Sequence, residues 1–168
     1  IIRSKKFHPG IDAKRQWLSK RLNEGHVFRK LNERGTVFIE YAPLEKAWVP
    51  IVGDNYFYIY CLWVMGSYKG KGYGKSLMDY CLADAKAKGK SGVCLLGSKS
   101  NGFEVVDTTD DGYELLALSF DGTFPRFTQK AKKQKIENKE LTIYYDMQCP
   151  FVYQSLEIVK QHCEINNV

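Results

Sequence analysis

The sequence predicts a mixed α/β chain of the α+β kind: a mostly antiparallel central sheet flanked by helices, followed by a strand–helix tail. Three observations carry this. Short apolar runs alternate with tight turn signals, the pattern of antiparallel strands. One long run, Tyr56–Val64, leads through a glycine-rich loop into an amphipathic helix and a further strand, a crossover unit. Helical spacing frames the sheet at both ends of the chain. With 168 residues, 44% hydrophobic and 26% charged, the chain suffices for one domain with a short annex, and disorder or a collagen-like structure is excluded. No apolar run approaches the roughly 18 residues of a membrane helix. Arg3, Lys5 and Lys6 lead into Phe7-His8-Pro9-Gly10 rather than an apolar signal segment. A cytoplasmic protein with no membrane partner is expected.

Residues 11–34 read as two short amphipathic helices. Asp12 is the expected N-cap of the first, with Ala13, Trp17, Leu18 and Leu22 at helical spacing. Asn23-Glu24-Gly25 interrupts the pattern, and Val27, Phe28 and Leu31 resume it up to Gly35. Strands follow at Thr36–Ala42, Ala47–Val52 and Tyr56–Val64, with turns at 43–46 and 53–55. Gly74–Lys88 is the clearest helix: Leu77, Cys81 and Ala85 form an apolar stripe, and Gly89 supplies the C-cap. Val93–Leu96 is apolar on both faces, as the middle of a sheet requires. Phe103–Thr108 and Tyr113–Phe120 pair as a hairpin across Thr109-Asp110-Asp111-Gly112. A further strand is expected at Leu141–Tyr145 and a helix at Phe151–Cys163.

The five cysteines (61, 81, 94, 149, 163) are odd in number and contain no C-x-x-C pair, and the three histidines are scattered. Buried thiols in a reducing compartment, and no metal, are the expectation. The net charge of +6 draws on Lys130, Lys132, Lys133 and Lys135. No aromatic residues interleave with these lysines, so a solvated linker is favoured over a nucleic-acid patch.

The chemistry is sought in the loop Tyr68-Lys69-Gly70-Lys71-Gly72-Tyr73-Gly74-Lys75-Ser76. Alternating glycines let successive amides converge, and the following helix start favours a phosphate or diphosphate. A P-loop needs glycine five residues before Gly74, where Lys69 stands; a dinucleotide fingerprint starting at Gly70 needs glycine at Lys75. Both templates fail. The third is the acyl-CoA loop Gln/Arg-x-x-Gly-x-Gly/Ala, which reads Lys69-Gly70-Lys71-Gly72-Tyr73-Gly74 here, with lysine for Gln or Arg. With the preceding strand, the following helix, Val93–Leu96 and Gly102-Phe103-Glu104, residues 11–120 resemble the GNAT superfamily of N-acetyltransferases. Lys46-Ala47-Trp48-Val49-Pro50, Cys61-Leu62-Trp63-Val64 and Tyr144-Tyr145-Asp146-Met147-Gln148-Cys149-Pro150-Phe151 narrow the resemblance to members with a YoaP-like C-terminal domain.

That resemblance implies a GNAT domain over 1–120, a basic linker over 121–139, and the start of a YoaP-like, thioredoxin-like segment over 140–168. It implies acetyl-CoA as co-substrate and a small-molecule or peptide amine as acceptor. Leu62, Trp63 and Val64 would pair with the pantetheine arm; the amides of Lys69, Gly70, Lys71, Gly72, Tyr73, Gly74, Lys75 and Ser76 would hold the diphosphate. The amine would attack the thioester directly, with orientation as the main contribution of the protein. Glu40 and Asp54 are conceivable bases. A tyrosine acid is often carried on a helix after the strand matching Val93–Leu96, but only Gly97–Asn101 follows here, so a loop and helix of the family are expected to be missing between Lys99 and Gly102. The catalytic residues therefore stay unassigned. Tyr56, Tyr58, Tyr60 and Trp48 are candidates for an aromatic acceptor pocket, and cross-strand packing is their commoner role. Cys61 reads as an inert strand thiol. The alternatives are a thiol-dependent redox protein centred on Cys149 and a non-catalytic module binding CoA or nucleic acid.

Overall fold

A proline tolerates the first helical position because its missing N–H has no partner there, and α1 (Pro9–Arg21) starts on Pro9. His8 is the N-cap, its Nδ1 accepting from the Gly10 amide at 3.2 Å. Asp12 therefore lies inside the first turn and pairs with Arg15 at 2.6 Å instead of capping. The computed structural model describes residues 8–32, 36–97, 102–132 and 143–166.

The second expected helix is a strand. After a 3₁₀ turn at Leu22–Glu24 and Gly25 at φ +84°, β1 (Val27–Lys30) pairs antiparallel with β2 (Val37–Pro43). Three apolar residues at 27, 28 and 31 fit either period; the ladder, which the neighbouring β2 offers, decides. Residues 33–35 lie outside the described residues. The expected strand Ala47–Val52 shrinks to β3 (Ile51–Val52), preceded by a 3₁₀ turn at Leu44–Lys46. Pro50 has no N–H to give to a ladder, and Trp48 is 74% exposed.

β4 (Tyr56–Val64) has its expected bounds, and α2 (Tyr73–Ala87) starts one residue early. Gly89 closes α2 at φ +62°: its amide donates to Lys86 and that of Lys90 to Ala85, a Schellman end. β5 (Gly92–Leu96), β6 (Glu104–Thr108) and β7 (Glu114–Ser119) follow, the last two as the expected hairpin. β8 (Arg126–Phe127) and α3 (Gln129–Lys132) are too short to leave a periodic signal. Lys132, expected in a solvated linker, pairs with Asp107 at 2.7 Å. Residues 133–140 are outside the described ones. The tail helix α4 (Pro150–Asn166) is present. Ile143, Tyr144 and Tyr145 form no strand, and 141–142 lie outside the described residues. A strand needs a partner for its backbone groups, and Tyr144 stands 92% exposed.

The chain divides into two packing units, residues 1–23 with 138–168 and residues 24–137. In the first, Gly10 of α1 lies against Pro150 so closely that a Cβ there would sit 2.0 Å from the Pro150 carbonyl oxygen, and Lys14 Nζ donates to the Gln148 carbonyl. The second holds a six-stranded sheet in the order β1-β2-β4-β5-β7-β6, antiparallel throughout except for β4 with β5. β3 and β8 pair separately. Alternation along the strands sends Val37, Ile39, Tyr41, Phe57 and Ile59 to the face covered by Leu77, Cys81 and Ala85 of α2. Tyr56, Tyr58, Cys94, Leu115 and Ala117 pack on the opposite face with Leu44, Ile51 and Phe127. Asp107 ties β8 to the sheet through the Phe127 amide at 2.8 Å.

Candidate active site

A parallel pair in an antiparallel sheet must come from a crossover, and the β4–loop–α2–β5 unit supplies it. The pair is short. Tyr56, Phe57 and Tyr58 face Gly92, Val93 and Cys94, and there β4–β5 pairing ends, although β4 runs on to Val64 and β5 to Leu96. On its other edge β4 stays paired with β2 as far as Val64↔Val37. The register there slips between Glu40↔Cys61 and Tyr41↔Ile59, leaving Tyr60 as an extra residue on β4. A bulge bends its strand and increases its twist. It lies two residues after the last β4–β5 pair, and past that pair the two strands leave a wedge, with no strand of the described residues paired to the β4 edge at Leu62, Trp63 and Val64. Leu62, Trp63 and Val64 lie on that stretch; Trp63 is 55% exposed and Val64 half-buried.

β4 runs out into a 3₁₀ turn at Gly66–Tyr68 and the glycine loop. Gly70 and Gly72 take φ of +75° and +79°, a region that costs a side chain strain. A Cβ on either would meet nothing within 4 Å, so these glycines serve the backbone turn and leave its outer face open. Gly74 has ordinary φ, and a Cβ there would contact Val64 at 3.5 Å, which seats the start of α2 against the end of β4. Gly72 is the N-cap of α2 and brings no side-chain acceptor. The orphan amides of the first turn are therefore uncovered. Among the described residues, nothing accepts from the amides of Gly70, Lys71, Gly72, Tyr73, Gly74 and Lys75. The two outer amides behave differently: Lys69 donates to Gly66 at 3.1 Å and Ser76 to Gly72 at 3.0 Å. Of the side chains, Lys75 is turned along the helix to Asp79 at 2.7 Å. Lys71 Nζ lies 5.7 Å from the Tyr68 ring, which itself meets Tyr73 edge-on at 5.8 Å. Amides left without protein acceptors at a helix start, with lysines beside them, suit an anion with several acceptor oxygens.

The remaining candidates separate. Glu40 is 0% exposed and hydrogen-bonded to His26 Nε2 at 2.9 Å, so it is neither a solvated carboxylate nor an open base. Asp54 is exposed beside the first residue of β4. At about 3.3 Å per residue the strand puts it about 16 Å from Ile59, where β4–β5 pairing has ended, too far to act at the wedge. Tyr56 is buried, its hydroxyl donating to the Thr123 carbonyl at 2.5 Å. Tyr58 is buried and its hydroxyl is pushed up to about 12 by that burial. With Trp48 turned to solvent, these three build no shared pocket; only Tyr60 stays near the wedge, edge-on to Tyr58 at 5.1 Å. Cys61 is half-buried on β4. Burial pushes the Cys81 thiol up to about 12 and raises that of Cys94 as well. Cys149 immediately precedes α4, where its carbonyl accepts from the Val152 amide at 3.0 Å. Among the described residues no group of His, Cys, Asp and Glu is placed to hold a metal ion, and no helix is long and apolar enough to cross a membrane.

His26 is the residue the sequence reading passed over. It stands two positions before Phe28, which faces Glu40 in the β1–β2 register, so His26 and Glu40 share a face. Had β1 been read as a strand, this alternation would have found the pair.

The Acetyltransferase (GNAT) family profile matches residues 3–102, which contain α1, the β1–β5 strands, the glycine loop and α2. This chain belongs to the GNAT acetyltransferase family. It is accordingly an acyltransferase. It is 37% identical over 182 residues to the "Uncharacterized N-acetyltransferase YoaP" of Bacillus subtilis (strain 168), covering 99% of this chain and 72% of that protein. Among solved structures, a GNAT family acetyltransferase from Brucella melitensis in complex with acetyl-CoA is 15% identical, with a TM-score of 0.47 over 74% of this chain and 90% of that one. The Escherichia coli GNAT acetyltransferase YhbS in complex with CoA is 15% identical, with a TM-score of 0.46 over 76% and 87%. The PaiA N-acetyltransferase of Thermoplasma acidophilum with coenzyme A is 20% identical, with a TM-score of 0.46 over 61% and 66%.

Proposed function

We propose that this GNAT acyltransferase transfers an acetyl group from acetyl-CoA to the amine of a small molecule or peptide, by direct attack while both are bound. The observation that carries the reading is the end of β4–β5 pairing at Tyr58 beside a run of free loop amides. The residues present fit the cofactor. The amides of Gly70 to Lys75 would hold its diphosphate, with Lys69 and Lys71 adding charge that strengthens such bonds. The amides of Lys69 and Ser76 are already used within the chain and are left out of the cradle. The free edge of β4 at Leu62, Trp63 and Val64 would pair with the amides of the pantetheine arm as an added strand. Acetyl-CoA supplies the activated acetyl group. The protein's part is to fix the two reactants in line, and a free β4 amide at the wedge would donate to oxygen where negative charge develops.

Among the described residues no helix lies between β5 and β6 to carry the family's tyrosine acid, and we assign this to a family loop and helix missing there. The YoaP match extends over 182 residues against a chain of 168, so it contains positions with no counterpart in this chain. The odd number of cysteines and the lack of a C-x-x-C pair are the basis on which we place the protein in a reducing, cytoplasmic compartment.

Calorimetric titration with acetyl-CoA tests the assignment. Binding in the micromolar range is expected, and Gly72→Asp should abolish it by setting a carboxylate against the diphosphate. Asp and Asn are among the residues that best tolerate φ above zero, so Gly72→Asn controls for the backbone and should retain most of the affinity. Undetectable binding by the unmodified chain at millimolar acetyl-CoA would sink the reading.

A further inference from the structure

The His26–Glu40 pair lies in the sheet interior at the one place where the β2–β4 ladder is irregular. The two side chains are 2% and 0% exposed. Glu40 faces Cys61, the residue after the bulged Tyr60. The His26 ring stacks on the Tyr60 ring with centroids 5.3 Å apart and planes at 26°, and Tyr60 in turn meets Tyr58 edge-on, at the last β4–β5 pair. Burying two titratable groups is a poor way to add stability, because their desolvation offsets most of their attraction and an apolar pair of similar volume holds a core as well. What an apolar pair does not supply is a fixed ring orientation. Glu40 Oε1 accepts from His26 Nε2 and sets that ring, and the ring sets Tyr60.

We propose that His26 and Glu40 are positioning residues: they hold the bulge at Tyr60 and through it the angle at which β4 leaves β5, and so determine the fit of the pantetheine arm. The inference rests on the acetyl-CoA reading above and adds to it a determinant that touches neither the loop nor the cofactor.

The test separates the two halves of the ligand. Acetyl-CoA and, separately, ADP as a diphosphate without a pantetheine arm are titrated into the unmodified chain and into Glu40→Ala, His26→Ala and Glu40→Gln. Loss of the ordered ring pair should weaken acetyl-CoA about tenfold in both alanine variants, the factor one aromatic contact implies. ADP affinity, set by the loop, should stay within about twofold, and Glu40→Gln, which keeps the accepting oxygen, should stay within about threefold for both ligands. Equal losses for acetyl-CoA and ADP, or unchanged acetyl-CoA binding in a folded alanine variant, overturns the positioning role. Should the alanine variants fail to fold, Tyr60→Leu keeps bulk on β4 without the stack and is held to the same comparison. If the unmodified chain binds no acetyl-CoA, both this inference and the reading beneath it fall, whereas variants that bind like the unmodified chain remove this inference alone.

Discussion

Asp107 shows how much one side chain can organise. Its carboxylate accepts from the Phe127 amide at 2.8 Å and the Thr108 amide at 3.0 Å and pairs with Lys132 at 2.7 Å. Burial alone would raise its pKa, but the Lys132 ammonium and the two amides outweigh that and hold the carboxyl below its usual 3.8. A group whose folded pKa is depressed contributes stability above its unfolded value, and that contribution fades as pH falls through the folded one. Asp107→Asn should therefore cost about 1 kcal/mol at pH 7. The gap from the unmodified chain should close below about pH 4, as read from urea unfolding at stepped pH. Constancy of the gap down to pH 2 would remove the charge from the account. This side chain carries no sequence signal, because its partners stand 20 and 25 positions away. The same holds for His26 and Glu40, 14 apart and invisible until β1 is known to be a strand. The glycine loop was legible because its requirement is local: two positive-φ positions, open outer faces and an uncapped helix start are all written in consecutive residues.

At the scale of elements, β4, α2 and the β6–β7 hairpin were readable because their apolar periods are long or their turns specific. β1 was not, since a four-residue strand gives too few apolar positions to separate the two periods, and its neighbour chooses between them. β3 was overread because apolar composition around Pro50 outlasts the ladder that could use it. The β4–β5–β7 junction adds a constraint that periodicity cannot show. At Gly92 a Cβ would lie 2.4 Å from the Leu118 carbonyl oxygen and 2.6 Å from the Tyr56 ring. Backbone on one side and a buried ring on the other leave no room to yield. Gly92→Ala is therefore expected to destabilise by about 1–3 kcal/mol in denaturant titration. A change within experimental error would show that the strands separate more easily than their packing implies.

For the molecule as a whole, the division into two units has a direct consequence for where activity resides. β4, the loop, α2, β5, His26 and Glu40 all belong to residues 24–137, which contain the entire six-stranded sheet and both apolar layers. A fragment of residues 24–137 should fold with near-native far-ultraviolet circular dichroism and keep its acetyl-CoA affinity within about threefold. A folded fragment that has lost binding would place part of the determinant in the other unit. The α1–α4 pair was half legible: each helix announced itself by its spacing, but the close approach at Gly10 depends on residues about 140 positions apart.

The short seam between β4 and β5 has an effect on the sheet's mechanics. Among the described residues three cross-strand pairs join the β1-β2-β4 half to the β5-β7-β6 half, and past Tyr58 no further pair does. A ligand that paired its own amides with the unfinished row, as proposed for the pantetheine arm, would act as a surrogate strand, and its affinity and the stiffness of the sheet would then be linked. On that reading the sheet would be softest along this seam before the ligand arrives.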